Sequence, residues 1–392
     1  MSSFYHIILY VIILALAFMV DYDYRHHAKV EVIRKKYRGY KTTSVTLPFV
    51  ITILCIVYIF TEGMRYGRGI DQLNVYAPYY LTCNGHFLQR DYEPLFVLVN
   101  KFLNANDPLL DVIPFGSIFF VYAAAFIVGL LCLWCVFKDC SKYFLVFAIL
   151  ATLSFQEGFI RQAFSCSFIF IGIYFYERKQ LKWAVLFLIA SLLIHKGNML
   201  IIGILVASKL IFRGKCISWK IAIPVFLVFE FVVQLDSVFN IIQSIVPFLH
   251  ISDNSEFGDY LTNTDYIQYE MDTASEWKRG AFTEVLTAAF YVASFFLCSK
   301  LGTKYKKYSY LFNSYILCSL IFEPFRLYGT MSRAFIVGAL LWPIPLSLAI
   351  YEWKNYKSKP FKLSVVIILL YIVTYYGRWI FMNPDAKYIW DL

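Results

Sequence analysis

Apolar runs recur from residue 3 to residue 382 of this 392-residue chain, and no polar stretch between them is long enough to hold a soluble domain. Roughly 20 apolar residues make a helix that crosses a bilayer, and runs of about 12 to 16 do so only where flanking polar residues dip into a protein-lined cavity. Twelve candidate spans follow, at 3–20, 45–62, 112–137, 143–156, 162–177, 183–195, 198–212, 221–235, 281–299, 308–323, 333–351 and 363–382. Hydrophobic residues make up 60% of the chain and charged residues 16%, which excludes a soluble enzyme. The expectation is an all-α polytopic membrane protein, a single integral membrane domain over 1–392 with about 12 transmembrane helices.

The charges set a topology. Segments 25–41, 138–142, 177–182, 209–220, 300–307 and 352–362 lie between alternate spans and carry 24 of the 36 Lys and Arg residues. With Asp21 and Asp23 they hold only 6 of the 26 acids, which leaves this side near +18 and the remainder near −8. The positive-inside bias makes that side cytoplasmic. Both termini and the long segments 63–111 and 236–280 then lie outside, at the outer face of a bacterial cytoplasmic membrane. The net charge of +10 is therefore a topology signal, with no nucleic acid implied. Segment 236–280 has eight acids against Lys278 and Arg279 and is expected to cover an outward-facing cavity and guide glycan. The first span could end in a cleavage site at Ala15-Leu16-Ala17, but Met1 to His6 lacks Lys and Arg, so a retained span is expected. Of nine cysteines, Cys132 and Cys135 form a CxxC pair, but it and most of the others lie inside apolar runs and suggest neither zinc nor a disulfide framework.

Ionisable residues at the outer ends of spans carry the chemical information, because each is costly there unless paired or facing a wet cavity. Glu62-Gly63-Met64-Arg65-Tyr66-Gly67-Arg68-Gly69-Ile70-Asp71 follows the second span, with Tyr76 beyond it. Its glycines let backbone amides approach an anion, and Arg65 and Arg68 can fork onto phosphate oxygens. Its ordinary reading is a solvated turn with arginines at the headgroups. Glu93-Pro94 reads ordinarily as a helix start capped by an acid. Glu157 and Arg161 have the four-residue spacing of a helical ion pair, with Gln162 next to them; a dipping helix that offers Arg161 to a phosphate is the alternative. His195-Lys196 ends a short apolar run, where a buried structural histidine is the plain account. Glu323-Pro324-Phe325-Arg326 precedes Arg333, which could simply snorkel. Taken together, Arg65, Arg68, Arg161, Lys196, Arg326 and Arg333 all stand on the side that positive-inside disfavours, and a bound diphosphate would account for them.

On these residues the chain resembles the EpsG family of bacterial exopolysaccharide proteins, relatives of the Wzy-type O-antigen polymerases. The resemblance runs over roughly 1–350 through Gly63-x-Arg65-x-x-x-Gly69-x-Asp71, Glu93-Pro94-Leu95-Phe96, Arg161-Gln162 opening a span, His195 closing one, and Arg333. Gln72 stands where the family leads us to expect an aromatic, Val75 where it has a Tyr, and Gly197 where it has a small hydroxyl residue. The resemblance implies a glycosyltransferase-C-like helical bundle and a polyprenyl-diphosphate-linked oligosaccharide as substrate. It implies no nucleotide sugar and no cofactor, and a chain-length regulator and a flippase as possible partners. It further implies a polymerase, expected to be metal-independent, in which arginines meet the diphosphate charge while Glu93, Asp71, Glu157 or His195 takes the acceptor proton. A flippase for the same lipid should show polar breaks at mid-membrane. An acyltransferase would want its histidine toward the cytoplasm, and His195 falls on the other side.

Overall fold

The computed structural model describes residues 2–36, 46–66, 77–82, 92–231, 280–323, 329–381 and 387–388. The chain divides into two compact units, residues 1–199 with 372–392, and residues 200–371.

The first unit holds α1 (Ser2–Lys36), α2 (Thr46–Gly63), the short α3 (Ala77–Thr82) and α4 (Pro94–Ala105), then α5 (Ile118–Phe137), α6 (Phe144–Gly158), α7 (Ile160–Glu177) and α8 (Leu181–Ile194). α2 packs against α1 and α5, while α7 packs against α5 and α8. In lipid no hydrophobic force draws helices together, so close backbone contact between small residues takes over. Gly129 of α5 shows it: a Cβ there would stand 2.8 Å from Ser167 Cα on α7, closer than any side chain tolerates. Asp21 of α1 is buried and accepts the Trp134 indole N–H at 2.6 Å, which fastens α1 to α5. A two-residue strand β1 (Arg65–Tyr66) pairs antiparallel with β2 (Lys387–Tyr388), so residues near the chain's end hold the segment that follows α2.

Asp107 organises the small helices. One carboxylate oxygen accepts the Tyr80 hydroxyl from α3 and the Ser117 N–H ahead of α5, each at 2.6 Å, and the other accepts the Leu109 N–H at 2.9 Å. Burial works against the charged form, but these donors outweigh it and lower the carboxyl's pKa. Asn104 of α4 adds a bond to the Tyr80 carbonyl at 2.9 Å. α3, α4 and the start of α5 are thereby tied at one point. Gly116 turns the chain into α5 with φ +55°, where a Cβ would strike Asp107 at 2.2 Å.

α9 (Asn198–Phe212) begins in the first unit and runs into the second. There follow α10 (Trp219–Phe231), α11 (Ala281–Lys304), a 3₁₀ turn at Lys306–Tyr308, α12 (Ser309–Phe322), α13 (Gly329–Ala339), α14 (Pro343–Tyr351) and α15 (Lys359–Phe381). The buried Asn313 of α12 accepts the Ile217 N–H at 2.8 Å and donates to the Lys215 carbonyl at 2.9 Å, which secures the turn between α9 and α10. Glu352 takes Lys304 and Tyr305 at 2.6 Å each and Asn355 at 2.8 Å.

Helix covers most of each of the twelve apolar runs, although 112–117 are turns ahead of α5, the run 221–235 is described only to Phe231 and the run 333–351 is two helices. Pro343 explains the second case: it lacks an N–H and is suited to a first helical turn, so it starts α14. Among the described residues four helical stretches are long and apolar enough to cross a membrane, Phe4–His26, Ile118–Phe137, Ala281–Lys304 and Lys359–Arg378, alongside several shorter apolar helices. Apart from the two-residue strands β1 and β2, the regular structure among the described residues is helical, as expected of an integral membrane protein.

Candidate active site

Pro94 occupies the first turn of α4 and fixes where that helix begins, with Glu93 as the residue before it. The Glu93 side chain does not cap its own helix, which corrects the capping account of this residue. It reaches outward to two other helix ends. One oxygen accepts from Arg161 Nη1, at the start of α7, at 2.8 Å. The other accepts the backbone N–H of Lys196, just past α8, at 2.9 Å and lies 3.6 Å from His195 Nδ1. Burial favours the neutral acid, but the His195 imidazole, the Arg161 charge and the Lys196 N–H outweigh it and lower the Glu93 pKa from 4.5 to about 2.

Arg161 and Glu157 do not share one continuous helix. The backbone at Phe159 leaves helical geometry (φ −126°, ψ 59°), so α6 ends and α7 begins between the two residues. The Glu157 side chain lies outside the described residues. The Arg161 guanidinium instead sits over the Tyr92 ring at 4.8 Å and the Phe96 ring at 5.9 Å, a placement in which the aromatic faces add to the carboxylate's attraction. Its buried Nε has no hydrogen-bond partner among the described residues. Gln162 is buried at 3% exposure, whereas Lys196 is exposed.

The turn that carries His195 is locked from beneath. Asn198 donates its N–H to the His195 carbonyl at 3.1 Å, and its buried side-chain amide donates to Ser165 of α7 at 2.7 Å and Ser191 of α8 at 2.8 Å. The sequence reading passed over Asn198, although an asparagine closing a His-Lys-Gly-Asn turn between apolar runs is a visible signal. Gly197 lies against the imidazole: a Cβ on it would come within 3.1 Å of Nε2.

Arg65 lies elsewhere in the same unit. It is 2% exposed and bonds Glu62 at 3.2 Å, while the Tyr10 hydroxyl donates to the same carboxylate. Its guanidinium also stands 5.9 Å from the Phe119 ring. In this structure Arg65 thus faces a buried carboxylate rather than an open surface. Arg65 and Arg161 touch different members of one aromatic cluster, Phe119 and Phe96, joined through Tyr122. Arg333 is exposed on α13 in the second unit. Arg68, Asp71, Tyr76, Arg326 and the segment 236–279 lie outside the described residues. Of the residues singled out in the sequence, the structure brings together Glu93, Arg161, His195 and Lys196.

A family model described as EpsG family matches residues 49–390. No curated protein and no solved structure matches the chain.

Proposed function

The chain belongs to the EpsG family, and on that premise we propose that it is a polysaccharide polymerase. It transfers a growing glycan from polyprenyl diphosphate to a hydroxyl at the non-reducing end of a second lipid-linked repeat unit. The observation that carries this reading is Glu93 joining Arg161 and the His195-Lys196 turn at a shared end of three helices. The opposite ends of α7 and α8 bear Arg178, Lys179 and Lys182, which by the positive-inside bias belong to the cytoplasm. The cluster then lies at the outer face of a bacterial cytoplasmic membrane, and with about twelve spans both termini are outside.

Glycosyl transfer from a diphosphate demands little more than charge and a base. As the anomeric C–O bond breaks, one further negative charge develops on a diphosphate that already carries two, and fixed guanidinium and ammonium groups lower the barrier most where water is scarce. Arg161 supplies a planar fork for two oxygens and Lys196 a movable point charge. Such a site needs no cofactor. Lipid-linked units reach this face only after a flippase has moved them, and the length of product is set with a chain-length regulator. The deciding experiment adds purified protein to a lipid-diphosphate-linked repeat unit. Longer glycans together with released lipid diphosphate support the reading, and an unchanged substrate in a folded preparation refutes it.

A further inference from the structure

We propose that Tyr92 is a positioning residue for the transfer: its ring sets the orientation of the Arg161 guanidinium and so aims the fork at the diphosphate. The inference rests on the polymerase reading and deepens it.

A guanidinium held by one hydrogen bond can still turn about that bond. Among the described residues Glu93 engages Arg161 through Nη1, at 2.8 Å, and Nε has no hydrogen-bond partner. The second constraint comes from the rings. The guanidinium carbon stands 4.8 Å from the centre of the Tyr92 ring and 5.9 Å from that of Phe96. A cation is drawn to the negative face of an aromatic ring, so carboxylate and ring together oppose the turning that either alone would permit. The N–H groups that Glu93 leaves unused are then held in one direction. That matters for a planar fork, which grips two oxygens only when it meets them in its own plane.

Tyr92 is itself fixed in place. Tyr79 of α3 meets it edge-on, with ring centres 4.6 Å apart and planes at 86°, and Phe96 of α4 does so at 5.4 Å and 72°. Tyr79 is buried and its neighbour Tyr80 is anchored on Asp107, so the tie that joins α3, α4 and α5 also steadies the ring beside Arg161. Pro94 contributes through the backbone. The residue before a proline is confined to extended geometry, and Glu93 has φ −61° and ψ 145°. Ring and carboxylate thus reach one cation from consecutive positions on a restricted stretch of chain. The Tyr92 hydroxyl makes no hydrogen bond among the described residues, which leaves the ring as the part that acts on Arg161.

The test uses full-length protein in detergent or liposomes with a lipid-diphosphate-linked repeat unit. Wild-type protein must elongate the unit; if it does not, the polymerase reading fails and this inference fails with it. Given elongation, Tyr92→Leu should lower kcat by about threefold or more, with the KM for acceptor changed less than about twofold. Tyr92→Phe, which keeps the ring, should recover most of that loss. In an Arg161→Lys background the same Tyr92→Leu change should cost less than about twofold, because an ammonium has no plane for the ring to set. A thermal melt confirms that each variant is folded, and Tyr92→Met, which fills irregular gaps, replaces the leucine variant should that one fold poorly. Wild-type kcat in the folded variant without the ring, a Tyr92→Phe loss as large as that of Tyr92→Leu, or an undiminished loss in the Arg161→Lys background would each overturn the assignment while leaving the polymerase reading intact.

Discussion

Arg161 and Glu93 stand 68 residues apart in the chain and meet at 2.8 Å, each at the first turn of a different helix. The contact makes the cation and the acid of the candidate site one unit. A diphosphate that approaches Arg161 must share it with Glu93, so the arginine is held ready without being left as an uncompensated charge.

Replacing Arg161 with Lys retains a partner for Glu93 but removes the planar fork. Folded protein at the wild-type level, with polymerisation reduced by tenfold or more, is the expected outcome. Gel analysis of glycan length beside a thermal melt of the purified variant measures both. Wild-type chain lengths from Arg161→Lys would remove the fork from the mechanism.

Glu93 also predicts how stability responds to acid. Its carboxyl is lowered from 4.5 to about 2 in the folded protein, so its contribution to stability is fully present above about pH 4.5 and is lost as pH falls toward 2. Melting curves in detergent between pH 5 and about pH 3 should therefore fall more steeply for wild type than for Glu93→Gln. Parallel curves would show that the ion pair does not form.

Arg65 should behave differently from Arg161. Both it and Glu62 are 2% exposed, and removing one partner of a buried pair costs about 3–5 kcal/mol because the other charge stays buried. Arg65→Ala should lower both the melting temperature and the amount of protein in the membrane, while Arg161→Lys should change neither. An Arg65→Ala protein as stable as wild type, yet inactive, would instead place Arg65 on the substrate.

Topology can be checked with single cysteines at Ser252 and Lys357. An impermeant thiol reagent applied to intact cells should label the first and spare the second. The reverse pattern would turn the protein over and put the Glu93 cluster in the cytoplasm.

Much of this site was visible in the sequence as an anomaly of charge. Arg161 and Lys196 stood on the side where cations are disfavoured, and Glu93 and His195 lay beside apolar runs at the same level. Their pairing was not visible. The four-residue spacing from Glu157 to Arg161 suggests a local ion pair only while the helix is continuous, and the non-helical backbone at Phe159 interrupts it. The partner of Arg65 was not visible either: neighbouring glycines suggest an open anion loop, whereas the structure pairs Arg65 with Glu62, which also accepts from Tyr10, sequence-distant in α1. The start of α4 at Glu93-Pro94 was legible, but its length was not, because Asn100, Lys101 and Asn104 interrupt its apolar face, although Leu98 and Phe102 remain exposed on it.

The 14 residues of α8 have a consequence for the setting of the reaction. At 1.5 Å per residue they rise about 21 Å, against a hydrocarbon core of about 30 Å. In the proposed topology, with Lys182 among the inner headgroups, His195 would be reached below the level of the outer ones, so the substrate would sink to it or the membrane become thinner beside α8. Turnover should then depend on the acyl-chain length of the surrounding phospholipid and be fastest in the shorter-chain bilayers, where a carrier's headgroup already rides at the depth of the histidine.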